Sequence, residues 1–146
     1  MAPSRIIVAL DVGSAEEAVA MALDVAPEVG AFKIGLGLLH GPGPATIDAL
    51  VRLGRPVFAD AKLHDIPSQV RTAAYRLGTH GARWVTAHVS GGPAMLEAAA
   101  EGLAAVAAIS RRLFDLHVFP VDFEALRDDH RERRLDALPA FRVLAD

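Results

Sequence analysis

A cluster of charged residues lies near the middle of this chain, where Asp60, Lys62 and Asp65 place an ammonium group between two carboxylates. Asp60 and Lys62 are two residues apart, so on an extended strand their side chains leave from the same face. Lys33, from a neighbouring predicted strand, would add a second ammonium group. Charges of alternating sign within hydrogen-bonding distance hold one another ionised and oriented. Such a group can donate a proton without a metal ion, which predicts acid catalysis.

The distribution of lysine supports this prediction. The chain has 15 basic residues, of which only Lys33 and Lys62 are lysines, and both lie where a predicted strand ends. On the residues alone, a structural ion-pair network that closes the end of a barrel is the alternative interpretation.

The elements that must position these residues follow a βα pattern with a spacing of about 25 residues. Each unit has a short apolar run, then turn residues, then a helical stretch. Ser14 and Glu17 have the spacing of a capping box at the start of the first helix. The predicted strands are 5–11, 32–36, 56–60 (continuing through 62) and 84–89, and the predicted helices are 15–29, 44–54, 68–77 and 94–101.

The predicted strands are nearly continuous apolar runs, which is typical of parallel strands covered on both faces. A half-barrel or a small open sheet would satisfy the pattern. In either architecture functional groups collect at the carboxyl ends of the strands. We therefore expect one shared edge for Asp11, Lys33, Asp60, Lys62 and His88.

Composition limits the classes of function. A length of 146 residues predicts one domain, and 52% hydrophobic residues with a net charge of −3 predict an ordinary globular protein. The balanced charge argues against nucleic-acid and membrane partners. The chain has no cysteine, which excludes disulfides and thiolate metal sites, and its apolar runs are too short for a signal peptide or a membrane span. We expect a cytoplasmic protein.

The spacing of histidines and glycines indicates neither a metal nor a dinucleotide. The six histidines form no pair with zinc spacing, although His64 and His88 are candidate ligands. Gly35-x-Gly37 lacks the third glycine of a dinucleotide fingerprint. Ser90-Gly91-Gly92 has the composition of a phosphate-binding turn at a helix N-terminus, or only of a turn. We predict no metal and no cofactor.

The segment Asp60-Ala61-Lys62-Leu63-His64-Asp65-Ile66-Pro67 resembles the D-x-K-x-x-D-I-P motif of the orotidine 5'-phosphate decarboxylase family. D-x-K-x-x-D alone also suits sugar-phosphate decarboxylases and synthases of the same superfamily, but Ile66-Pro67 favours the orotidylate branch. The resemblance spans about residues 5–103. Further matching segments occur in the same order: Ala9-Leu10-Asp11, Phe32-Lys33-Ile34-Gly35-Leu36 and Val85-Thr86-Ala87-His88-Val89-Ser90-Gly91-Gly92.

The resemblance implies an α/β fold of the (β/α)8 TIM-barrel family, of which this chain has about four βα units. It also implies a homodimer with sites at the interface and a small-molecule nucleotide substrate. The implied reaction converts orotidine 5'-phosphate to uridine 5'-phosphate and carbon dioxide without a cofactor, in pyrimidine nucleotide biosynthesis.

The same resemblance implies roles for individual residues. Lys62 would be the general acid that protonates C6 of the pyrimidine, and Asp60 would lie against the substrate carboxylate. Asp65 would reach in from the partner subunit. Substrate binding would involve Asp11, Lys33, Ile66 and Gln69, with Asp11 and Lys33 at the ribose and orienting the charges.

Two departures from the family pattern stand out. Where the family commonly has Asn-Thr after D-I-P, this chain has Ser68-Gln69, so a longer amide replaces a threonine that contacts the substrate. The family also needs more than four βα units, and its later strands carry the pyrimidine and phosphate contacts.

We therefore predict an N-terminal half-barrel over residues 1–103 and a divergent tail over 104–146, from a truncated or frame-shifted gene. The tail has an apolar alternation at 114–118 and a charged stretch at 127–134 whose composition suits a solvated helix.

Two alternatives to the decarboxylation of orotidine 5'-phosphate are open. One is an inactive fragment or an assembly subunit, in which open strand edges pair with another chain. The other is a sugar-phosphate decarboxylase, or an aldolase-type barrel in which Lys62 or Lys33 forms a Schiff base with a carbonyl substrate.

Overall fold

The computed structural model describes residues 4–110, in which strands and helices alternate along the chain. The strands are β1 (Ile7–Ala9), β2 (Ala31–Ile34), β3 (Val57–Leu63) and β4 (Ala82–Ala87). The helices are α1 (Ala15–Val25), α2 (Leu36–His40), α3 (Ala45–Val51), α4 (Pro67–Thr79) and α5 (Pro93–Ser110), with a 3-10 turn at Val89–Gly91 before α5.

The four strands form one parallel sheet in the order β1-β2-β3-β4. The order follows the chain, so each helical crossover joins neighbouring strands, as expected for βα units. Lys33 of β2 lies opposite Ala9 of β1 and Phe58 of β3. This register puts the carboxyl ends of the strands along one edge, as the sequence predicts.

The start of α1 is held by side-chain hydrogen bonds. The hydroxyl of Ser14 accepts a hydrogen bond from the Glu17 backbone N–H at 3.1 Å. The Glu17 carboxylate in turn accepts one from the Gly13 N–H at 3.0 Å. The predicted capping box is therefore present, with its reciprocal bond displaced by one residue to Gly13. The helix ends at Val25, four residues before the predicted end at Val29.

A short helix that was not predicted precedes the second predicted helix. The prediction started one helix near Pro44, whereas a short helix, α2, already begins at Leu36. Its five residues include Gly37, and Gly41 caps its end. Glycine has low helix propensity, so such a short helix has no sequence signal of its own. Pro44 is the N-cap of α3 rather than a residue of its first turn.

A hydrophobic core lies between the sheet and the helices. In β2, Phe32 and Ile34 are fully buried, while Lys33 between them projects to the opposite face because side chains alternate along a strand. Burial of large apolar side chains such as these is the main favourable contribution to folding. Other large members of the core are Leu10, Leu38, Ile47, Leu50 and Val57.

Helix α5 packs closely against α4 and continues to Ser110, beyond the predicted end at Glu101. Gly102 is buried in this contact, and a Cβ atom there would clash with the backbone carbonyl oxygen of Arg71. The helix thus runs through the predicted boundary at residue 103. The division into 1–103 and 104–146 stays a prediction, and the features predicted at 114–118 and 127–134 lie outside the described residues.

We expect Gly102→Ala to lower the free energy of unfolding by about 1–3 kcal/mol, because the added methyl group overpacks the α4–α5 contact. The control is Gly37→Ala in α2, where the added methyl group meets no atom within 4 Å. There the same substitution should raise stability by up to about 1 kcal/mol by restricting the unfolded chain. Urea denaturation of the full chain measures both, and a Gly102→Ala protein as stable as the wild type would contradict this packing.

Candidate active site

Four charged side chains form a chain of ion pairs at the carboxyl ends of β1, β2 and β3. The Lys62 ammonium group donates a hydrogen bond to Asp60 Oδ2 at 2.6 Å. Lys33 Nζ lies 3.9 Å from the same oxygen and donates to Asp11 Oδ1 at 3.4 Å. The order is Asp11, Lys33, Asp60, Lys62, so the charges alternate in sign. Asp60 is the carboxylate shared by both lysines.

The contact between Asp60 and Lys62 depends on an irregularity in β3. Ala59 pairs with Val85 and Leu63 with Ala87, so three residues of β3 lie opposite the single residue Thr86 of β4. Within this bulge Lys62 has a φ of 50°, in the left-handed region that L-residues rarely adopt. Bulges commonly redirect side chains beside active sites. The two side chains meet as predicted, but through a bulge rather than through regular strand alternation.

Thr86 completes the arrangement, and the sequence analysis did not single it out. Its Oγ1 accepts a hydrogen bond from the Lys62 backbone N–H at 2.8 Å and donates one to Asp60 Oδ1 at 2.9 Å. The available signal was a polar side chain within the apolar run Trp84–Ala87, near the carboxyl end of the strand next to β3. Thr86 contacts Asp60 and Lys62 because of the pairing register between β3 and β4, which a single strand's sequence does not specify.

The surroundings of Asp60 favour its ionised form. Burial alone would raise the pKa of Asp60, whose side chain is 19% exposed. The hydrogen bonds from Lys62 and Thr86 and the charges of Lys62 and Lys33 outweigh burial, and they hold this pKa below its ordinary value of 3.8. Asp60 is therefore a carboxylate at neutral pH. The side chain of Lys62 is 47% exposed, so its ammonium group can reach a ligand.

A cleft of about 330 Å³ adjoins this network beside Asp11. It lies between the end of β1 and helix α2 and is lined by apolar side chains and two glycines as well as by the Asp11 carboxylate. A concave, partly apolar space beside oriented charges is typical of a small-molecule site. The lining residues are Leu10, Asp11, Val12, Gly35, Leu36, Gly37 and Leu38.

Asp65, Ile66 and Gln69 lie in the segment that joins β3 to the start of α4. Asp65 accepts a hydrogen bond from the Ile66 N–H at 2.6 Å. Among the described residues, the ion pairs of Lys33 and Lys62 are with Asp11 and Asp60. The sequence analysis gave Asp65 as the second carboxylate of this cluster, whereas in the structure Asp11 is the second carboxylate. All three side chains are exposed, and Ile66 is 62% exposed. They are thus open to a ligand or to another subunit.

His88 lies on the same edge of the sheet. Its ring packs against that of His64 with 5.4 Å between centroids, and its backbone N–H donates to the Leu63 carbonyl at 2.9 Å. Within residues 4–110 no three His, Asp or Glu side chains converge as metal ligands. Ser90 and Gly91 belong to the 3-10 turn, which Gly92 ends with a φ of 82°.

In the part of the chain that the structure describes, no helix combines the length and hydropathy needed to cross a membrane.

Comparisons with known proteins point to one family. Residues 4–120 match the model of the "Orotidine 5'-phosphate decarboxylase / HUMPS family", further along the chain than the sequence resemblance over 5–103. The chain is 50% identical over 103 residues to the orotidine 5'-phosphate decarboxylase of Anaeromyxobacter sp. (strain K), covering 70% of this chain and 45% of that protein. The chain therefore spans about half the length of the curated relatives it matches.

Solved structures give the same result. The orotidine 5'-phosphate decarboxylase of Pyrococcus horikoshii OT3 matches with a TM-score of 0.63 and 33% identity, over 66% of this chain and 47% of that one. The enzyme of Methanocaldococcus jannaschii, complexed with the inhibitor BMP, matches with a TM-score of 0.61 and 26% identity, over 75% and 49%. The predicted TIM-barrel family is confirmed, with four βα units in the described part.

The depressed pKa of Asp60 predicts a pH dependence of stability. A carboxylate whose pKa is lower in the folded than in the unfolded state stabilises the fold above its unfolded pKa, and this stabilisation is lost as pH falls through the folded pKa. The stability difference between wild type and Asp60→Asn should therefore be largest near neutral pH and shrink on acidification. Urea denaturation between about pH 3 and 7 measures it.

The control for this experiment is Asp24→Asn, which changes an exposed carboxylate of α1 outside the network. Its stability difference from wild type should vary with pH less than that of Asp60→Asn. A difference between wild type and Asp60→Asn that stays constant over the whole range would show that Asp60 has no depressed pKa.

Proposed function

Because this chain belongs to the orotidine 5'-phosphate decarboxylase / HUMPS family, we propose that it converts orotidine 5'-phosphate to uridine 5'-phosphate and carbon dioxide without a cofactor. This reaction would place it in pyrimidine nucleotide biosynthesis. The observation that carries the proposal is the ammonium group of Lys62, held 2.6 Å from Asp60 within the D-x-K-x-x-D-I-P segment. The family assignment rests on the match over residues 4–120, whereas this contact supports the proposed chemistry.

In the proposed reaction Lys62 is the general acid. The bond between C6 and the carboxylate carbon breaks, its electron pair stays on C6, and carbon dioxide leaves. A proton from Lys62 Nζ then neutralises C6, and the amine regains a proton from solvent. Support comes from the position of Lys62, which is anchored at its backbone by Thr86 and at its ammonium group by Asp60, yet is half exposed.

Asp60 and Lys33 would prepare the site for this step. The ionised Asp60 carboxylate would repel the negatively charged carboxylate of the bound substrate. Decarboxylation removes the substrate carboxylate and so relieves this repulsion. Asp60 would also orient the Lys62 ammonium group through their hydrogen bond. Lys33 and Asp11 would bind the ribose hydroxyl groups, and the cleft beside Asp11 offers the space. The low pKa of Asp60 supports the charge state that this scheme requires.

The proposed active form is a homodimer in which Asp65 acts in the partner subunit's site. Asp65, Ile66 and Gln69 are exposed on the segment after β3, so they are available to a second copy of the chain. Ile66 would make apolar contact with substrate, and the Gln69 amide would hydrogen-bond to it. The cytoplasmic location expected from the sequence stays a prediction.

Lys62→Ala should lower decarboxylation by at least about 100-fold, because general-acid catalysis contributes rate factors of this size. Lys62→Arg should also be slow, since a guanidinium group remains charged and gives up its proton poorly. The control Arg52→Ala, at an exposed position after α3, should keep wild-type activity. Loss of ultraviolet absorbance of orotidine 5'-phosphate with the purified full chain measures all three, and wild-type turnover by Lys62→Ala would refute the role of Lys62.

A mixed dimer tests Asp65. Lys62→Ala and Asp65→Ala chains should each be inactive alone, and mixing them should restore activity. If Asp65 acts across the interface, half of the dimers are mixed and each has one intact site, so about a quarter of the wild-type activity returns. Should Asp65 act within its own subunit, the mixture would stay inactive.

A non-catalytic assembly subunit is the second candidate function. Within residues 4–110 the strands β1 and β4 each pair on one side only, and an open edge is a template for another chain. Sedimentation of the full chain separates the candidates when combined with the assay. A closed oligomer without turnover favours the assembly subunit, and turnover that depends on Lys62 excludes a purely structural role.

A further inference from the structure

Thr86 lies at a place where the pairing between β3 and β4 is irregular. Three residues of β3, Asp60 to Lys62, lie opposite Thr86 alone. A bulge leaves backbone groups without their ladder partners, and an unpaired N–H is costly where water is excluded. The Lys62 N–H donates instead to the Thr86 hydroxyl oxygen at 2.8 Å. The side chain of Thr86 therefore takes the place of a missing backbone carbonyl.

The direction of these hydrogen bonds is fixed by the chemistry of a hydroxyl group, which has one proton to donate. Because the Lys62 N–H occupies a lone pair of Oγ1, the hydroxyl proton is available to Asp60 Oδ1, 2.9 Å away. The other oxygen of Asp60 accepts from Lys62 Nζ at 2.6 Å. The three residues thus form a closed ring of hydrogen bonds that holds both oxygens of Asp60 in place.

The same ring holds Lys62 at two points, its backbone N–H and its ammonium group. The φ of 50° at Lys62 is unfavourable for an L-residue and persists only where surrounding contacts enforce it. Thr86 supplies the backbone contact from the neighbouring strand. Without this hydroxyl group, the backbone of Lys62 and the rotation of the Asp60 carboxylate would both lose a restraint.

We propose that Thr86 is a positioning residue of this site, whose hydroxyl group sets the direction of Lys62 and Asp60 relative to each other. This inference rests on the proposed decarboxylation for its effect on turnover. Its structural part, the restraint of the Lys62 backbone, can be measured without turnover. Thr86 acts through Lys62 and Asp60 and not on the substrate.

The test compares Thr86→Val, which keeps the shape and removes the hydroxyl group, with Thr86→Ser, which keeps the hydroxyl group. For Thr86→Val we expect kcat to fall about 10- to 100-fold, the effect of losing a hydrogen bond to a charged group, with KM changed much less. Thr86→Ser should retain most of kcat. The control is Thr72→Val, which removes a hydroxyl group that donates to the Ser68 carbonyl within α4 at 3.0 Å, away from the network, and it should leave kcat unchanged.

Amide hydrogen exchange of the full chain, followed by NMR at Lys62, is the readout that does not need activity. The Lys62 amide should exchange at least about tenfold faster in Thr86→Val than in wild type, because one lost hydrogen bond shifts the opening equilibrium by this order. Thr86→Ser should keep the protection. If Thr86→Val does not fold, Thr86→Ala removes the same hydroxyl group with less bulk and takes its place.

The outcomes separate the two proposals. Faster exchange and lower kcat in Thr86→Val, both rescued in Thr86→Ser, support the positioning role. Unchanged exchange in Thr86→Val overturns it, and so does equal impairment of the Val and Ser variants, because a role of the hydroxyl group requires Thr86→Ser to be spared. A wild-type chain without turnover, in which Lys62 exchange still depends on the hydroxyl group, refutes the decarboxylase activity and keeps the restraint by Thr86.

Discussion

The ionised carboxylate of Asp60, shared by two ammonium groups and a hydroxyl group, is the interaction on which the arrangement of this site depends. A carboxylate that is largely removed from water is stable as an anion only where donors and positive charges offset the loss of water. Lys62 and Thr86 donate to its two oxygens, and Lys33 adds a second positive charge. Each of these groups lowers the pKa of Asp60, and the two hydrogen bonds also orient its carboxylate.

The topology of the sheet makes this arrangement possible. Lys33, Asp60 and Thr86 come from β2, β3 and β4, three neighbours in a parallel sheet, and Asp11 follows β1. On β2 the alternation of side chains commits Phe32 and Ile34 to the core and leaves Lys33 on the other face, so apolar burial fixes the position of the charge. The bulge in β3 then turns Lys62 towards Asp60. Core packing and site geometry are thus set by the same strands.

The order of the elements and the charged edge were predictable from the sequence, because apolar runs, capping residues and the Asp60-x-Lys62 spacing are local signals. The features that were missed depend on contacts between distant segments. Thr86 matters only because a bulge aligns it with three residues of β3, and no local pattern specifies that register. The short helix at Leu36–His40 was missed because its glycine and length give it little intrinsic preference. The alternation of charges was predicted, yet Asp11 and not Asp65 occupies its end within the chain.

The charge state of Asp60 is the most direct test of this account. Titration of its carboxyl carbon by NMR in the full chain should give a midpoint below the ordinary value of 3.8, because Lys62, Thr86 and Lys33 stabilise the anion. A midpoint at or above 3.8 would show that burial outweighs those partners, and Asp60 would not be the anion that holds Lys62 in place.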